Sequence, residues 1–574
     1  MAKQQEIQTP VVIVGGGPVG LCLALFLDYY KIKSTVINTN TDARMHPKGN
    51  GQNARTMEHY RQIGISDDIR KLGIPNDHPF DQAFFTRFCS HEVYRFPAPS
   101  WDERKKIRKT TPVTDQFPEP MFHVNQMYAE KYLFERVQKC SNVDVRFGWE
   151  ANRFTQDDEG VSVTAKKTDG AEEAIWRASY MVDCSGGRSF IRRSLGIEYA
   201  GDIQTKNAMW AGQFYTVWLR IPELYSKYVG HRRAWMYWAV NPDPDTRSVL
   251  IALNGKDEFE LLIKPKSASQ GVKPEEVKGW IRQSIGADLE VDVISYFPWT
   301  AGAALAVQKY RAGRVLLAGD SAHLFTPVGA FGMNTGIDDV HNLAWKLAAV
   351  FEGWGGPELV DSYELERRPI GFRNTGAARK YSSKQQDPEI PDNIEADTPE
   401  GEAVRAKVPK ISYIVNNHFN HVEEEDCAGV QLGARYDDSP LVVRDNEPPA
   451  EHFPETYNRY YPSSVPGGRA PHLWLDEKRE RGSSLYDNLG KGFTLLRLDQ
   501  SKDVDRIVKA AETRHIPLRV LDVKVAEARE LYDHSLVLVR PDQYIVWRGD
   551  AVPDNIDALL ARVCGHEEAT LSRM

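Results

Sequence analysis

The β-branched run Val11-Val12-Ile13-Val14 leads into Gly15-Gly16-Gly17-Pro18-Val19-Gly20 and then into the apolar stretch Leu21-Cys22-Leu23-Ala24-Leu25-Phe26-Leu27. This reads as strand, glycine turn and helix, the opening of an α/β domain. Gly15, Gly17 and Gly20 meet the dinucleotide-binding fingerprint: one glycine makes the turn, one lets backbone approach a pyrophosphate, and one lets the helix pack on the strand. A phosphate at this turn, beside Pro18, sits on free amides and the positive end of the helix dipole. The same segment is uncharged from Ile7 to Leu27, but Pro10, three consecutive glycines, Pro18 and Gly20 break any membrane-spanning helix in its first half.

The next strand, Ser34-Thr35-Val36-Ile37, ends at Asn38, where the fingerprint expects an acidic residue on the ribose hydroxyls. The Asn amide can still accept one ribose hydrogen bond. Nearly 300 residues on, Val315-Leu316-Leu317-Ala318 runs into Gly319-Asp320-Ser321-Ala322-His323. Pro327 and the glycine-rich Gly329-Ala330-Phe331-Gly332-Met333-Asn334-Thr335-Gly336 follow, before an amphipathic helix over 337–347. This suits a cofactor longer than a mononucleotide. Asp320 can bond a polyol hydroxyl, and the amides at Gly332 to Asn334 can face a ring edge.

Together these motifs resemble the FAD-dependent aromatic hydroxylases, the single-component flavoprotein monooxygenases of the phenol hydroxylase and para-hydroxybenzoate hydroxylase type. His46-Pro47-Lys48 followed by Asn53-Ala54-Arg55-Thr56-Met57-Glu58 resembles the family's Arg-Thr-x-Glu helix start, with Arg55 on the cofactor. Gln126 resembles the family glutamine that contacts FAD. Val182-Asp183-Cys184-Ser185-Gly186-Gly187-Arg188 resembles the motif tied to FAD and the nicotinamide donor, with Ser185 in place of the Asp expected before Gly186. Pro466-Gly467-Gly468-Arg469 resembles the opening of the phenol hydroxylase C-terminal domain.

The resemblance implies a Rossmann-like FAD-binding domain from residues 1–200 and 300–380, with an antiparallel-sheet substrate domain inserted at 201–299. A connecting segment, 381–465, then leads to a thioredoxin-like domain over 466–574. The aromatic runs at 213–219, 234–240 and 248–253 alternate as sheet strands do. In the C-terminal part, strands at 493–496, 517–523, 535–540 and 544–547 alternate with helices at 503–514 and 556–563. Its only cysteine is Cys564, so no dithiol activity is available there. With 574 residues, about four domain-sized units are expected at roughly 150 residues each.

Net charge is −8, from 72 Lys and Arg against 80 Asp and Glu, which gives no basic excess for nucleic acid. The six cysteines form no Cys-x-x-Cys and no zinc spacing, which argues for a cytoplasmic protein without structural metal. Gly-x-Ser-x-Gly and His-Glu-x-x-His are absent, and Ser321 adjacent to His323 makes no triad, so hydrolase and metalloenzyme readings find no support.

The implied chemistry is hydroxylation of a small phenolic substrate with NADPH or NADH and O2, through a flavin C4a-hydroperoxide, in a homodimer. No separate donor fingerprint is present. Asn50 stands where phenol hydroxylase carries an acidic residue that activates the phenol. An amide cannot take that proton, so Asn50 can only orient substrate, leaving His46 or a pocket tyrosine to polarise the hydroxyl. Tyr237 or Trp238 is expected to line the pocket, and Pro327 to place its carbonyl near the ring. A larger polyketide-type aromatic substrate, or a flavoprotein oxidase or structural subunit without hydroxylation, are the rival readings.

Overall fold

The strand that carries the first glycine turn lies inside a parallel sheet. In the computed structural model, which describes residues 5–202, 213–243, 246–265, 272–300, 303–384, 390–407, 427–445 and 457–566, that strand is Gln5–Val14. It pairs in parallel with Glu173–Asp183 on one side and Ser34–Asn38 on the other. Val315–Leu317 and Val143–Phe147 extend the parallel order outward. Val11, Val12 and Ile13 are fully buried; a strand covered on both faces reads as an unbroken apolar run. Trp149–Gln156 and Val161–Lys167 add an antiparallel extension. The helix expected over 337–347 is longer, Phe331–Glu352.

The second sheet has seven strands in the order Asp292–Thr300, Gln213–Arg220, Glu258–Ile263, Ser248–Ala252, Met236–Ala239, Gln82–Phe85 and Glu92–Phe96. It is therefore wider than segment 201–299. Two strands come from within the first 200 residues, and Gln82–Phe85 joins Met236–Ala239 in parallel, while the other pairs are antiparallel. Ala83, Phe84 and Phe85 are fully buried, and that burial draws this hairpin into the sheet rather than the nucleotide domain.

The C-terminal sheet runs Leu518–Asp522, Phe493–Arg497, Leu536–Val539, Ile545–Gly549, parallel in the first pair and antiparallel after it. Helices Asp505–Thr513 and Ile556–Val563 flank it, with an additional short helix, Glu527–Tyr532, that the sequence pattern did not show. Trp345, Trp354 and Leu359 share one core cluster with Phe493, Leu538 and Leu560, so this layer is cemented onto the nucleotide domain. Of the connecting segment, residues 385–389, 408–426 and 446–456 lie outside the described residues. No described helix is long and apolar enough to cross a membrane.

Candidate active site

Three motifs far apart in sequence close on one another. A Cβ at Gly15 (φ +113°) would stand 2.3 Å from the Cys184 carbonyl oxygen and 2.8 Å from the Ser185 nitrogen, so only glycine fits. A Cβ at Gly336 would come within 2.6 Å of the Val19 side chain and 2.8 Å of the Gly319 Cα. The first turn is thus locked between the middle motif and the Gly319-Asp320 strand end. Asp339 holds that strand end: one carboxylate oxygen accepts from the Gly319 amide (3.2 Å) and lies 2.6 Å from His323 Nε2, while the other accepts from Arg367 Nε (2.9 Å). His323 is fully buried in this structural role.

Around the cleft, Gly17, Gly49 and Gly186 have nothing within 4 Å of a would-be Cβ. The helices Pro18–Tyr29 and Phe331–Glu352 both begin without a side-chain cap and without an acidic residue in the first turn. Asn53, Ser100 and Asn125 cap other helices of the same domain. The two uncapped ends leave amides and positive dipole ends free. Asp320 is exposed at the second of these ends, its backbone carbonyl taken by the Tyr199 hydroxyl. Gly332 and Met333 are half-buried at the same helix start.

Other expected cofactor residues are engaged elsewhere. Asn38 Oδ1 accepts from the Gly16 amide (3.1 Å), so its acceptor holds the turn and only its NH2 group faces outward to Asn40. The Asn334 side chain bonds Asn53 N, Gly51 O and Ala330 O, tying the 51–53 segment to the helix start. Ser185 bonds Asp183 through both its hydroxyl (2.6 Å) and its amide (3.0 Å), and Ser189 bonds the same carboxylate. Gln126 donates its amide to Gly49 O (2.8 Å), and its side chain to Glu130 (3.4 Å). Arg55 is buried, bonding Glu58, the Asp542 carbonyl and Gln543. These bonds tie it to the C-terminal domain.

On the substrate side, one face of the second sheet looks onto the loop at 46–50. His46 Nδ1 is 2.9 Å from Ser295 Oγ and Asn50 Nδ2 donates to Glu260 Oε2 at 2.8 Å. Ser295, Trp218, Glu260, Ile251 and Met236 are successive cross-strand partners, so they share that face. Trp238 lies on it too. Tyr237 has the opposite parity: fully buried on the far face, its hydroxyl accepts from Ala234 N (2.7 Å). Tyr237 therefore lies on the sheet face opposite Glu260. Tyr237→Phe is expected to lower stability by about 1–2 kcal/mol through the orphaned amide and to leave kcat/KM unchanged, as melting and oxygen-uptake measurements would show. The exposed Pro327 uses its carbonyl to accept from Ala330 N (3.3 Å), closing the turn before the long helix.

His46 is pushed down to about 4 by burial and by Arg44 and Lys48, so it is neutral at pH 7. Glu260, absent from the sequence reading, is 3% exposed, and burial raises it to about 8 against the pull of the Asn50 hydrogen bond. An acidic residue inside the strand Glu258–Ile263, between Phe259 and Leu261, is its only sequence signal. Among the described residues, His59, Asp338 and His341 cluster as metal ligands do. Arg367 and Arg55 both address Asp338, which sets two cations against any metal there.

A family profile described as FAD binding domain matches residues 8–378, and one described as aromatic-ring hydroxylase, C-terminal, matches residues 463–566. The chain belongs to the FAD-dependent aromatic-ring hydroxylases. It is 31% identical to the FAD-dependent monooxygenase apdD of Emericella nidulans, across 98% of this chain and 91% of that protein. It is 30% identical to a putative polyketide hydroxylase of Streptomyces halstedii, across 94% and 93%. Among solved structures, RebC with bound 7-carboxy-K252c superposes with a TM-score of 0.84 at 32% identity, covering 98% of this chain and all of that one.

The cleft of this hydroxylase fits FAD on its own geometry. Two uncapped helix ends and the three glycines on open space would receive the pyrophosphate and the ring edge, and the exposed Asp320 carboxylate would bond a ribityl hydroxyl.

Proposed function

We propose that the protein hydroxylates a phenolic ring carried on a polycyclic, polyketide-type aromatic, with NADH or NADPH as electron donor. The observation that carries this reading is the shape of the pocket-side sheet face. From the buried Glu260 the face crosses Trp218 to Ser295, two strand spacings or roughly 10 Å, and ends in open apolar side chains. Phe297 is 54% exposed and Met45 39%. Such a face accommodates more than a single ring. The relatives named as putative polyketide hydroxylases support the same substrate class.

When bound, FAD would carry electrons from the nicotinamide to O2, which supplies the oxygen atom delivered to the ring and is otherwise reduced to water. The chain holds the acceptor ring against that oxygen and keeps water out. Trp218, Ile251 and Trp238 provide the apolar wall. Asn50 is clamped by Asn125 Nδ2 (2.7 Å) and by Glu260, which fixes the polar end of the pocket. Neutral His46, with an unpartnered buried Nε2, offers a second polar contact near Phe297, whose ring centroid is 4.5 Å away.

The test is oxygen uptake by holoenzyme with each donor across monocyclic and polycyclic phenols, with peroxide quantified in parallel. Uptake stimulated by a polycyclic phenol with little peroxide is the expected result. Coupled turnover confined to monocyclic phenols would overturn the size class. Stoichiometric peroxide with every compound would favour an oxidase.

A further inference from the structure

The polarity of the Asn125–Asn50–Glu260 chain is fixed from outside the pocket. Asn125 caps the helix Gln126–Val137, so its Oδ1 must accept from Met127 N (3.0 Å). Its NH2 group is then the donor, to Lys48 O (2.9 Å), to Asn50 Oδ1 (2.7 Å) and, at 3.3 Å, to Glu260 Oε2. Asn50, accepting through Oδ1, has only its NH2 group left to present to Glu260. Both amides thus donate to a single oxygen, Oε2. A proton on this carboxyl must reside on Oε1, which has no hydrogen-bond partner among the described residues.

We infer that Glu260 Oε1 is the proton acceptor for the substrate's phenolic hydroxyl, replacing from the sheet the carboxylate that position 50 lacks. This rests on the proposed phenol hydroxylation. The substrate O–H bond breaks with its electron pair staying on the phenol oxygen, and the proton forms a new O–H bond at Oε1. The phenolate so formed is the better nucleophile toward the transferred oxygen. The proton returns from Oε1 to the product oxygen once the ring has reacted, so the step needs no further reactant. A carboxyl raised to about 8 lies closer to a phenol than an ordinary glutamate does, which favours transfer in both directions.

No charged side chain among the described residues pairs with Glu260. On its own strand, Glu258 is engaged by Tyr128, Trp218 and Arg220. From the facing loop, His46 is bound to Ser295 and Lys48 contributes backbone atoms only. On the facing helix, Glu130 bonds Arg44 N and Gln126. The ascending limb of activity therefore belongs to Glu260 itself. Because the acceptor must be ionised, kcat/KM rises with pH toward a plateau above about 8.

The test compares wild-type and Glu260→Gln holoenzyme, with matched FAD content, on a phenol and its methyl ether. In the wild type the phenol is expected to bind at least tenfold more tightly than the ether. In the variant that ratio falls toward one, kcat/KM drops about 100-fold, and the limb near pH 8 disappears. The binding ratio is read without turnover, so it stands even where no coupled hydroxylation is found. Wild-type enzyme that binds phenol and ether equally at pH 9 would overturn the inference, and so would a variant that keeps the pH limb. Coupled turnover alongside either result would leave the hydroxylase reading intact.

Discussion

Replacing Glu366 by alanine is expected to destabilise the protein by about 3–5 kcal/mol, the cost of leaving buried charge without its partner. Glu366 is 1% exposed on the helix Glu358–Lys384. Its two oxygens accept from Arg540 (2.6 and 2.9 Å), Lys346 (2.6 Å), Asn342 (2.7 Å) and Ser439 (2.6 Å). Burial alone would raise its pKa, but Arg540 and Lys346 hold it well below the ordinary 4.5. Its contribution is complete above that value and is lost only as the solution becomes strongly acid.

Arg540 belongs to the C-terminal layer, Lys346 and Glu366 to the nucleotide domain, so the alanine variant strips Lys346 of its carboxylate and leaves Arg540 with Asp542 alone at that junction. Urea unfolding at pH 7, followed with limited proteolysis of the C-terminal layer, measures the effect. A midpoint shift worth less than about 1 kcal/mol would mean that the aromatic contacts of Trp345 and Trp354 with Phe493 carry the junction alone. Ser439→Ala, which removes one hydrogen bond and no charge, is expected to cost only about 1 kcal/mol.

The same junction explains why one residue's role was not legible in the sequence. Arg55 follows a loop that borders the cofactor cleft, yet its guanidinium is claimed by Glu58, Asp542 and Gln543, the last two nearly 490 positions away. Local motif context carries no information about such a contact. What was legible rested on short-range physics: a β-branched run before a glycine turn, glycines at a spacing that allows close approach, and the strand and helix order of the C-terminal layer. The meeting of Val19 with Gly319 and Gly336 follows from two such signals that only make sense together.

The substrate face was less readable because both faces of its strands are covered. Tyr237, Trp238 and Ala239 are all buried, so the alternation that normally separates a core face from an outer face is missing. Glu260 is hidden for a related reason. Glu258 and Glu260 alternate with Phe259 and Leu261, so Glu260 looks like a solvent-facing position until Asn50, 210 residues earlier, is folded over it. An amide at position 50 cannot take a proton, and the carboxylate that it bonds, Glu260, lies on another element.

Glu260 also makes the wild-type protein sensitive to alkali, and Glu260→Gln is expected to remove most of that sensitivity. Burial raises the folded-state value from 4.5 to about 8. Between those values the folded protein keeps a proton that the unfolded chain has released, so unfolding free energy falls by about 1.4 kcal/mol per pH unit. By pH 9 the accumulated loss is about 4–5 kcal/mol, against little difference at pH 4.5. Glutamine preserves the geometry, since its carbonyl can accept from Asn50 and Asn125 while its amide takes the place of the acid O–H. Asp115, Glu130 and Asp183 are raised by burial as well, but they are common to both proteins and cancel in the difference. Denaturation midpoints measured from pH 5 to 9 should therefore diverge, with the variant the more stable at the alkaline end. Parallel curves would mean that Glu260 is solvated in the folded protein, and with it would go the argument that Glu260 is a stronger base than an ordinary glutamate.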